Sequence, residues 1–193
     1  TPPVLGLSSG PHADSKSHFS ADRELLDGER LSLFGYGISH TLRCIHTPGH
    51  AANHLCLLFE EEGLLFTGDH LLGDITPVIR PPDGNMNAYL HSLERLQAVC
   101  SQHQVSTLLP AHGHALGPAS EALTEMRRRR HQREQKIVTI LDQHPHLSFD
   151  ELLSQTYADV APALRSIAAG TLQAHLEHLN LQGKKNFPTV NPI

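Results

Sequence analysis

The chain of 193 residues is long enough for one or two domains with a hydrophobic core, and 39% of its residues are hydrophobic. No apolar run approaches the length of a membrane span, so we expect no membrane segment and a cytoplasmic location. The net charge is −5, and residues 120–193 carry nine Lys and Arg against eight acidic residues, so the acidic excess lies in the first 119 residues.

Short strands dominate the first half of the chain. Alternating or continuous apolar residues predict strands over residues 2–7, 31–34, 38–45, 55–59, 64–67 and 105–109. The acidic tip at residues 60–63 makes a hairpin of the fourth and fifth of these. The first long helix begins near Asn87, and Tyr89, Leu93 and Leu96 share its apolar face, where Tyr89 packs the helix onto the sheet.

The second half is helical. Residues 119–144 predict one long helix that Pro145 stops, and Ser148 with Glu151 forms a capping box that opens a second helix. A third helix follows over residues 164–181, and then a tight turn at Gly183. Three helices ending in such a turn resemble a winged-helix module, and we therefore divide the chain into domains at residues 1–118 and 119–193.

Three cysteines, Cys44, Cys56 and Cys100, are odd in number and have no paired spacing. This pattern predicts buried thiols in a reducing compartment and neither disulfides nor a zinc ribbon.

Potential metal ligands follow three of the predicted strands. The strings are His46-Thr47-Pro48-Gly49-His50, Gly68-Asp69-His70 and Pro110-Ala111-His112-Gly113. Imidazole and carboxylate are the ligands of hydrolytic zinc and of other first-row metals. Side chains at three strand ends can converge on one rim of a sheet, whereas a lone histidine or Gly-Asp pair is more often a turn residue.

These strings together resemble the second half of the metallo-β-lactamase fold, and the match extends through residues 78–86 and 89–93. The connector and the helical tail are most similar to the branch that contains the β-lactamase-like endoribonucleases and many bacterial hydrolases. The implied fold class is α/β, the C-terminal half of an αββα metallo-β-lactamase fold, followed by an all-α winged-helix-like domain.

The resemblance implies a role for each of the three residues. His50 would complete a first metal site, Asp69 would bridge both metals as the catalytic carboxylate, and His112 would complete the second site. Two zinc ions are expected in an intact site, with iron or manganese as alternatives. A hydroxide held by the metals would attack a phosphodiester or ester-type bond, and the substrate would be RNA or a small molecule. A thioester or lactone hydrolase of the same fold is the alternative.

One departure affects whether the chain is an enzyme by itself. The family's His-x-His-x-Asp-His string, which supplies four further ligands, is absent from this sequence. His12, Asp14 and His18 are a poor replacement because they lie in a Ser/Gly/Pro-rich loop. We therefore expect an incomplete site, an exposed apolar sheet face, and either a fragment of a longer protein or a chain that forms a homodimer or pairs with another subunit.

The basic cluster has two interpretations. Arg127, Arg128, Arg129 and Arg130 span the circumference of a helix, which is typical of a solvated linker. Together with Lys184 and Lys185 they could instead contact RNA or DNA phosphates, and a non-catalytic nucleic-acid-binding or assembly module is then the second class of function. We interpret His54 and His114 as ordinary loop residues, and His70 as either a loop residue or a group that orients a ligand.

Overall fold

The computed structural model describes residues 1–13, 15, 18–73 and 75–183. A five-stranded sheet has the order β3-β4-β5-β6-β7, in which all neighbours are antiparallel except β6 and β7. Its strands are β3 (Arg30–Gly35), β4 (Ile38–His46), β5 (Leu55–Phe59), β6 (Leu64–Gly68) and β7 (Thr107–Pro110). Two short parallel strands, β1 (Leu5–Gly6) and β2 (Arg23–Glu24), form a separate pair.

One face of the large sheet carries the main hydrophobic core. Leu58, Leu65 and Leu108 alternate with outward residues along their strands and are fully buried. Helix α1 (Met86–Gln102) packs on this face through Tyr89 and other apolar residues of the periodic pattern, as the sequence predicted.

The opposite face of the sheet is apolar and only partly covered. Leu57 pairs with Phe66 across β5 and β6, and Phe59 pairs with Leu64. Phe66 is 41% exposed and the other three are half-buried. An apolar sheet face of this kind is suited to packing against a further layer of structure.

Three further helices follow the sheet, namely α2 (Ala119–Gln143), α3 (Phe149–Thr156) and α4 (Arg165–Leu181). Leu123 and Met126 near the start of α2 belong to the main core, whereas Ile137 and Ile140 near its end belong to a second cluster with α3 and α4. The packing of α2 therefore crosses the predicted division at residue 118, which stays a prediction. No helix in the described part of the chain is long and apolar enough to cross a membrane.

The main elements agree with the sequence predictions, including the capping box of Ser148 and Glu151. Three differences are found at the strands. Strand β1 covers only Leu5–Gly6 of the strand predicted over residues 2–7. Strand β7 begins two residues later than predicted, because Val105 lies before the ladder, and β2 was not predicted because its two residues are charged and exposed. The three cysteines are buried and free, as expected.

Candidate metal centre

The loop that carries His50 is held against helix α1. Three groups on the helix and its N-terminal cap donate hydrogen bonds of 2.8 Å to the backbone of this loop. The donors and acceptors are Asn85 N–H to Gly49 O, Ser92 Oγ to Pro48 O, and Arg95 Nη1 to His46 O. Gly49 has φ 144°, and a Cβ there would lie 2.4 Å from the Cα of Tyr89. Only glycine therefore allows the helix and the loop to approach this closely.

The Asp69 loop is held by His54. Gly68 has φ 50°, and a Cβ there would lie 2.7 Å from His54 Nε2, so the glycine lets the backbone pass this imidazole. The N–H of Asp69 donates to His54 Nε2 over 3.2 Å, and His54 Nδ1 then donates to Thr47 Oγ1 over 2.8 Å. The interpretation of His54 as an ordinary loop residue is therefore corrected, because its imidazole holds the backbone of Asp69.

The His112 loop is attached to the Asp69 loop by two backbone hydrogen bonds. Ala111 N–H donates to Gly68 O over 3.0 Å, and Gly73 N–H donates to His112 O over 3.2 Å. A Cβ on Gly73 would lie 2.3 Å from the backbone nitrogen of His114, so the two loops are in direct contact. These contacts hold His112 near Asp69 although its own side chain is exposed.

The three predicted ligands meet at the Asp69 carboxylate. His50 Nε2 lies 3.9 Å from Oδ2, and His112 Nε2 lies 3.6 Å from Oδ1. Oδ1 is buried and has no hydrogen-bond partner among the residues that the structure describes. Such an atom is costly to bury without a donor or a cation, and two imidazole nitrogens on opposite carboxylate oxygens suit a carboxylate shared by two metal ions.

The tautomer of His50 can be inferred from its other ring nitrogen. Nδ1 lies 2.7 Å from the backbone oxygen of Val78, which can only accept, so Nδ1 carries the proton. In the neutral ring, Nε2 then carries no proton, and its lone pair lies on the side of Asp69. A second hydrogen bond of this kind is what orients metal-bound histidines.

The described residues supply only part of a complete ligand set. They contain no group of three His, Cys, Asp or Glu side chains close enough to hold one metal ion. Each ion at Asp69 would receive one imidazole and one carboxylate oxygen from this chain, below the three protein ligands usual for catalytic zinc. The donors present therefore fit metal binding, but they are too few to complete either site.

Two histidines beside the centre, the half-buried His54 and the fully buried His70, are neutral near pH 7. Burial, and then the nearby His50, lower the pKa of His54 to about 4. Burial also lowers the pKa of His70 well below 6.5. The His70 ring lies 4.5 Å from the ring of Tyr89, and the Tyr89 hydroxyl donates to the backbone oxygen of His70. His70 thus fills the space between sheet and helix, and its ring nitrogens have no hydrogen-bond partner within the described ranges.

The arginine run faces several directions. Arg127 pairs with Glu94, and both Arg128 and Arg129 pair with Glu125. Arg130 is only 3% exposed, lies over the Tyr89 ring at 4.9 Å and donates to the backbone oxygen of Pro77. A buried guanidinium is not available to a phosphate in this conformation, so Arg130 attaches α2 to the sheet domain. Phosphate contact by the other three arginines stays a prediction, and Lys184 and Lys185 lie outside the described residues.

Comparison with known families covers both parts of the chain. Residues 22–141 match the family described as the metallo-beta-lactamase superfamily. Residues 148–184 match the beta-lactamase associated winged helix domain.

Individual relatives are similar over most of the chain. A beta-lactamase-like protein 2 homolog from Caenorhabditis elegans is 31% identical over 148 residues, which are 77% of this chain and 48% of that protein. An atrochrysone carboxyl ACP thioesterase from Paecilomyces divaricatus is 31% identical over 136 residues, which are 70% of this chain and 39% of that protein. The chain thus spans half or less of the length of these two relatives.

A solved structure shows the same arrangement in three dimensions. The crystal structure of a metallo-beta-lactamase family protein from Thermus thermophilus superimposes with a TM-score of 0.69 and 26% identity. The match covers 85% of this chain and 50% of that chain.

Proposed function

The chain belongs to the metallo-beta-lactamase superfamily and carries its associated winged-helix domain, as its sequence predicted, and from this we propose that it acts in a metal-dependent hydrolase. One observation supports the proposal most strongly. His50 Nε2 and His112 Nε2 lie 3.9 and 3.6 Å from opposite oxygens of the Asp69 carboxylate. One of these oxygens is buried and has no hydrogen-bond partner in the described part of the chain.

Each residue would have a distinct task in such a centre. His50 would bind one ion through Nε2 because its Nδ1 is engaged by Val78, and His112 would bind a second ion. Asp69 would hold both, and the backbone hydrogen bond to His54 fixes its position. When bound, a zinc ion lowers the pKa of water from 15.7 to about 7 and so supplies a nucleophile at neutral pH, and an iron or manganese ion would supply Lewis-acid activation of the same kind.

The remaining ligands must come from residues beyond this set. The partly exposed face of the sheet near Leu57 and Phe66 supports the proposal that a second layer packs there, from a second copy or another polypeptide. That layer would also be the source of further ligands.

An acyl thioester is the substrate class that we favour. The relative from Paecilomyces divaricatus is named a carboxyl acyl carrier protein thioesterase, and it is 31% identical to this chain. A phosphodiester such as RNA is the second candidate, suggested by the arginine run. It is weakened by the burial of Arg130 and by the ion pairs of Arg127 and Arg128 with carboxylates of this chain.

Cobalt substitution tests the metal centre directly. We would titrate the metal-free chain with Co²⁺, follow its visible absorption, and measure Zn²⁺ affinity by competition. His50→Ala, Asp69→Asn and His112→Ala should each weaken binding by about tenfold or more. His91→Ala is the matched control, since that histidine is 82% exposed on α1 and away from Asp69. Binding that is unchanged by the first three variants would contradict the proposal.

Two model substrates separate the candidate reactions. An acyl N-acetylcysteamine thioester and bis(p-nitrophenyl) phosphate would be offered to the metal-loaded protein, with and without a candidate partner chain. Hydrolysis of the thioester alone supports the favoured class, and hydrolysis of the phosphodiester alone favours the second.

A further inference from the structure

A cleft lies between the connector at residues 75–78, helix α2, and residues 157–171, which include the start of α4. Its volume is about 680 Å³, within the range of about 300–1000 Å³ that is usual for small-molecule sites. It is distinct from the metal centre, because none of His50, Asp69 and His112 lines it.

Aliphatic side chains from two separate parts of the chain form one wall of the cleft. Ile75, Leu164 and Ile167 are 63%, 51% and 48% exposed, and Val78 and Val160 lie beside them. Large aliphatic residues gathered around a concave surface favour an apolar occupant.

The opposite wall is cationic. Arg129, Arg133 and Lys136 line it, and the acidic residue among the lining groups is Asp159. Arg133 forms two hydrogen bonds of 2.9 Å with Asp159 and stacks 4.5 Å above the Tyr157 ring. Lys136 Nζ lies 3.9 Å from the same carboxylate, and Arg129 pairs with Glu125, so these two carboxylates compensate part of the charge of the three cations. The wall keeps a positive excess, which complements an anionic group on an otherwise apolar molecule.

Val78 connects the cleft to the metal centre. This residue lines the cleft, and its backbone oxygen accepts the hydrogen bond from His50. The next residue, Ile79, donates its N–H to Thr171 Oγ1 on α4, and Thr171 also lines the cleft. The same connector therefore forms part of the cleft and holds the candidate ligand His50.

We propose that the cleft binds the aliphatic acyl chain of an anionic thioester, an inference that rests on the proposed hydrolase function. The acyl chain packs against Ile75, Leu164 and Ile167. A negatively charged group of the substrate lies beside Arg129 and Lys136. The winged-helix domain thus contributes to substrate selection through its apolar residues.

A nucleic acid fits the same cleft less well. Single-stranded RNA and DNA are bound by exposed aromatic rings on which bases stack. Tyr157 is the aromatic residue among those that line the cleft, and it is 6% exposed with its ring covered by Arg133. The wall offers aliphatic groups where base stacking needs an open ring.

Titration calorimetry with dodecanoate tests the site without any metal. In the presence of EDTA we expect one equivalent of dodecanoate to bind, and acetate and dodecyltrimethylammonium to bind far more weakly. Ile167→Glu should weaken dodecanoate binding by about tenfold or more, because it places a carboxylate in the apolar wall. Ile38→Glu is the matched control, since Ile38 is 57% exposed and does not line the cleft.

The cationic wall has its own pair of variants. Lys136→Gln should weaken dodecanoate binding by about threefold, as expected for a partly exposed charge. Arg127→Gln should leave it unchanged because Arg127 faces Glu94 and does not line this cleft. Circular dichroism of each variant would exclude unfolding as the cause.

The outcomes distinguish this proposal from the proposed function. With the metal-loaded enzyme, Ile167→Glu should raise KM for a dodecanoyl thioester and leave KM for an acetyl thioester and both kcat values unchanged. Absence of dodecanoate binding, or equal effects of Ile167→Glu and Ile38→Glu on that binding, would overturn the assignment of the cleft as an acyl-chain site even if cobalt binds at Asp69. Failed cobalt binding both by the chain alone and with the candidate partner chain, with intact dodecanoate binding, would overturn the hydrolase function instead. An oligonucleotide that displaces dodecanoate and depends on Lys136 would overturn the acyl-chain assignment and identify a nucleic-acid site.

Discussion

His50 donates a hydrogen bond from Nδ1 to the backbone oxygen of Val78 over 2.7 Å, and this contact connects the metal centre to the rest of the molecule. Val78 is followed by Ile79, whose buried N–H donates to the hydroxyl of Thr171 on α4. The orientation of a candidate ligand therefore depends on a helix that begins more than a hundred residues later in the chain.

Removal of the Thr171 hydroxyl should destabilise this connector. Thr171→Val leaves the N–H of Ile79 buried without an acceptor, and we expect the free energy of unfolding to fall by about 1–3 kcal/mol. Urea unfolding would measure the change. Thr171→Ser, which keeps the hydroxyl, should lose less, and equal losses in the two variants would show that the hydrogen bond is unimportant.

Gly49 should not tolerate a side chain. In Gly49→Ala the new Cβ would lie 2.4 Å from the Cα of Tyr89, and φ 144° is itself unfavourable for alanine. Overpacking and backbone strain together should lower the free energy of unfolding by about 2–4 kcal/mol. Thermal unfolding would detect this loss. Gly10→Ala is the control, because a Cβ at Gly10 would meet no atom within 4 Å.

The arginines of the basic run should differ sharply in their effect on stability. Arg130→Ala removes the stacking on Tyr89 and the donor to Pro77 O, and we expect a loss of about 2–4 kcal/mol in the free energy of unfolding. Arg128→Ala removes an exposed ion pair with Glu125 and should change stability little. Urea unfolding of both variants makes the comparison, and similar losses would contradict the buried role of Arg130.

The buried pair of histidines on α4 predicts an acid-sensitive fold. Burial lowers the pKa of His175 below 6.5; Glu134 beside it opposes this shift, whereas Arg130 and His178 add to it. Burial would raise the pKa of Glu134, but hydrogen bonds from His175 and His178 lower it to about 2.

The sign of the pH dependence follows from the unfolded state. An unfolded His175 binds a proton below pH 6.5 and the folded one only at a lower pH, so its contribution to stability is present above pH 6.5 and is lost as pH falls below it. The pKa of Glu134 is about 2 in the folded state and 4.5 in the unfolded state, so its contribution is lost only as pH falls below 4.5. Unfolding free energies measured from pH 8 to pH 5 with EDTA should therefore decrease, with a smaller slope in His175→Gln. An identical slope in that variant would exclude His175 as a source.

The convergence of His50, Asp69 and His112 could be predicted from the sequence because each follows a strand of one sheet. Strands β4, β6 and β7 run in the same direction, so their carboxyl ends lie at one edge of that sheet. The role of His54 could not be predicted, since it depends on how the backbone at Gly68 passes an imidazole, and no local pattern records that path. The burial of Arg130 had a detectable signal. It lies four residues after the buried Met126 and four before the buried Glu134, on the apolar face of α2.

Helix α2 enters both hydrophobic clusters, through Leu123 and Met126 at one end and Ile137 and Ile140 at the other. An α-helix completes one turn in about 3.6 residues and rises about 1.5 Å per residue, so one residue inserted between these ends would rotate one cluster by about 100° against the other. The length of α2 therefore fixes both the distance and the relative rotation of the two hydrophobic clusters. Substitutions at exposed positions of α2 are compatible with this arrangement. An insertion or deletion in α2 would instead move α4 away from the connector at Val78.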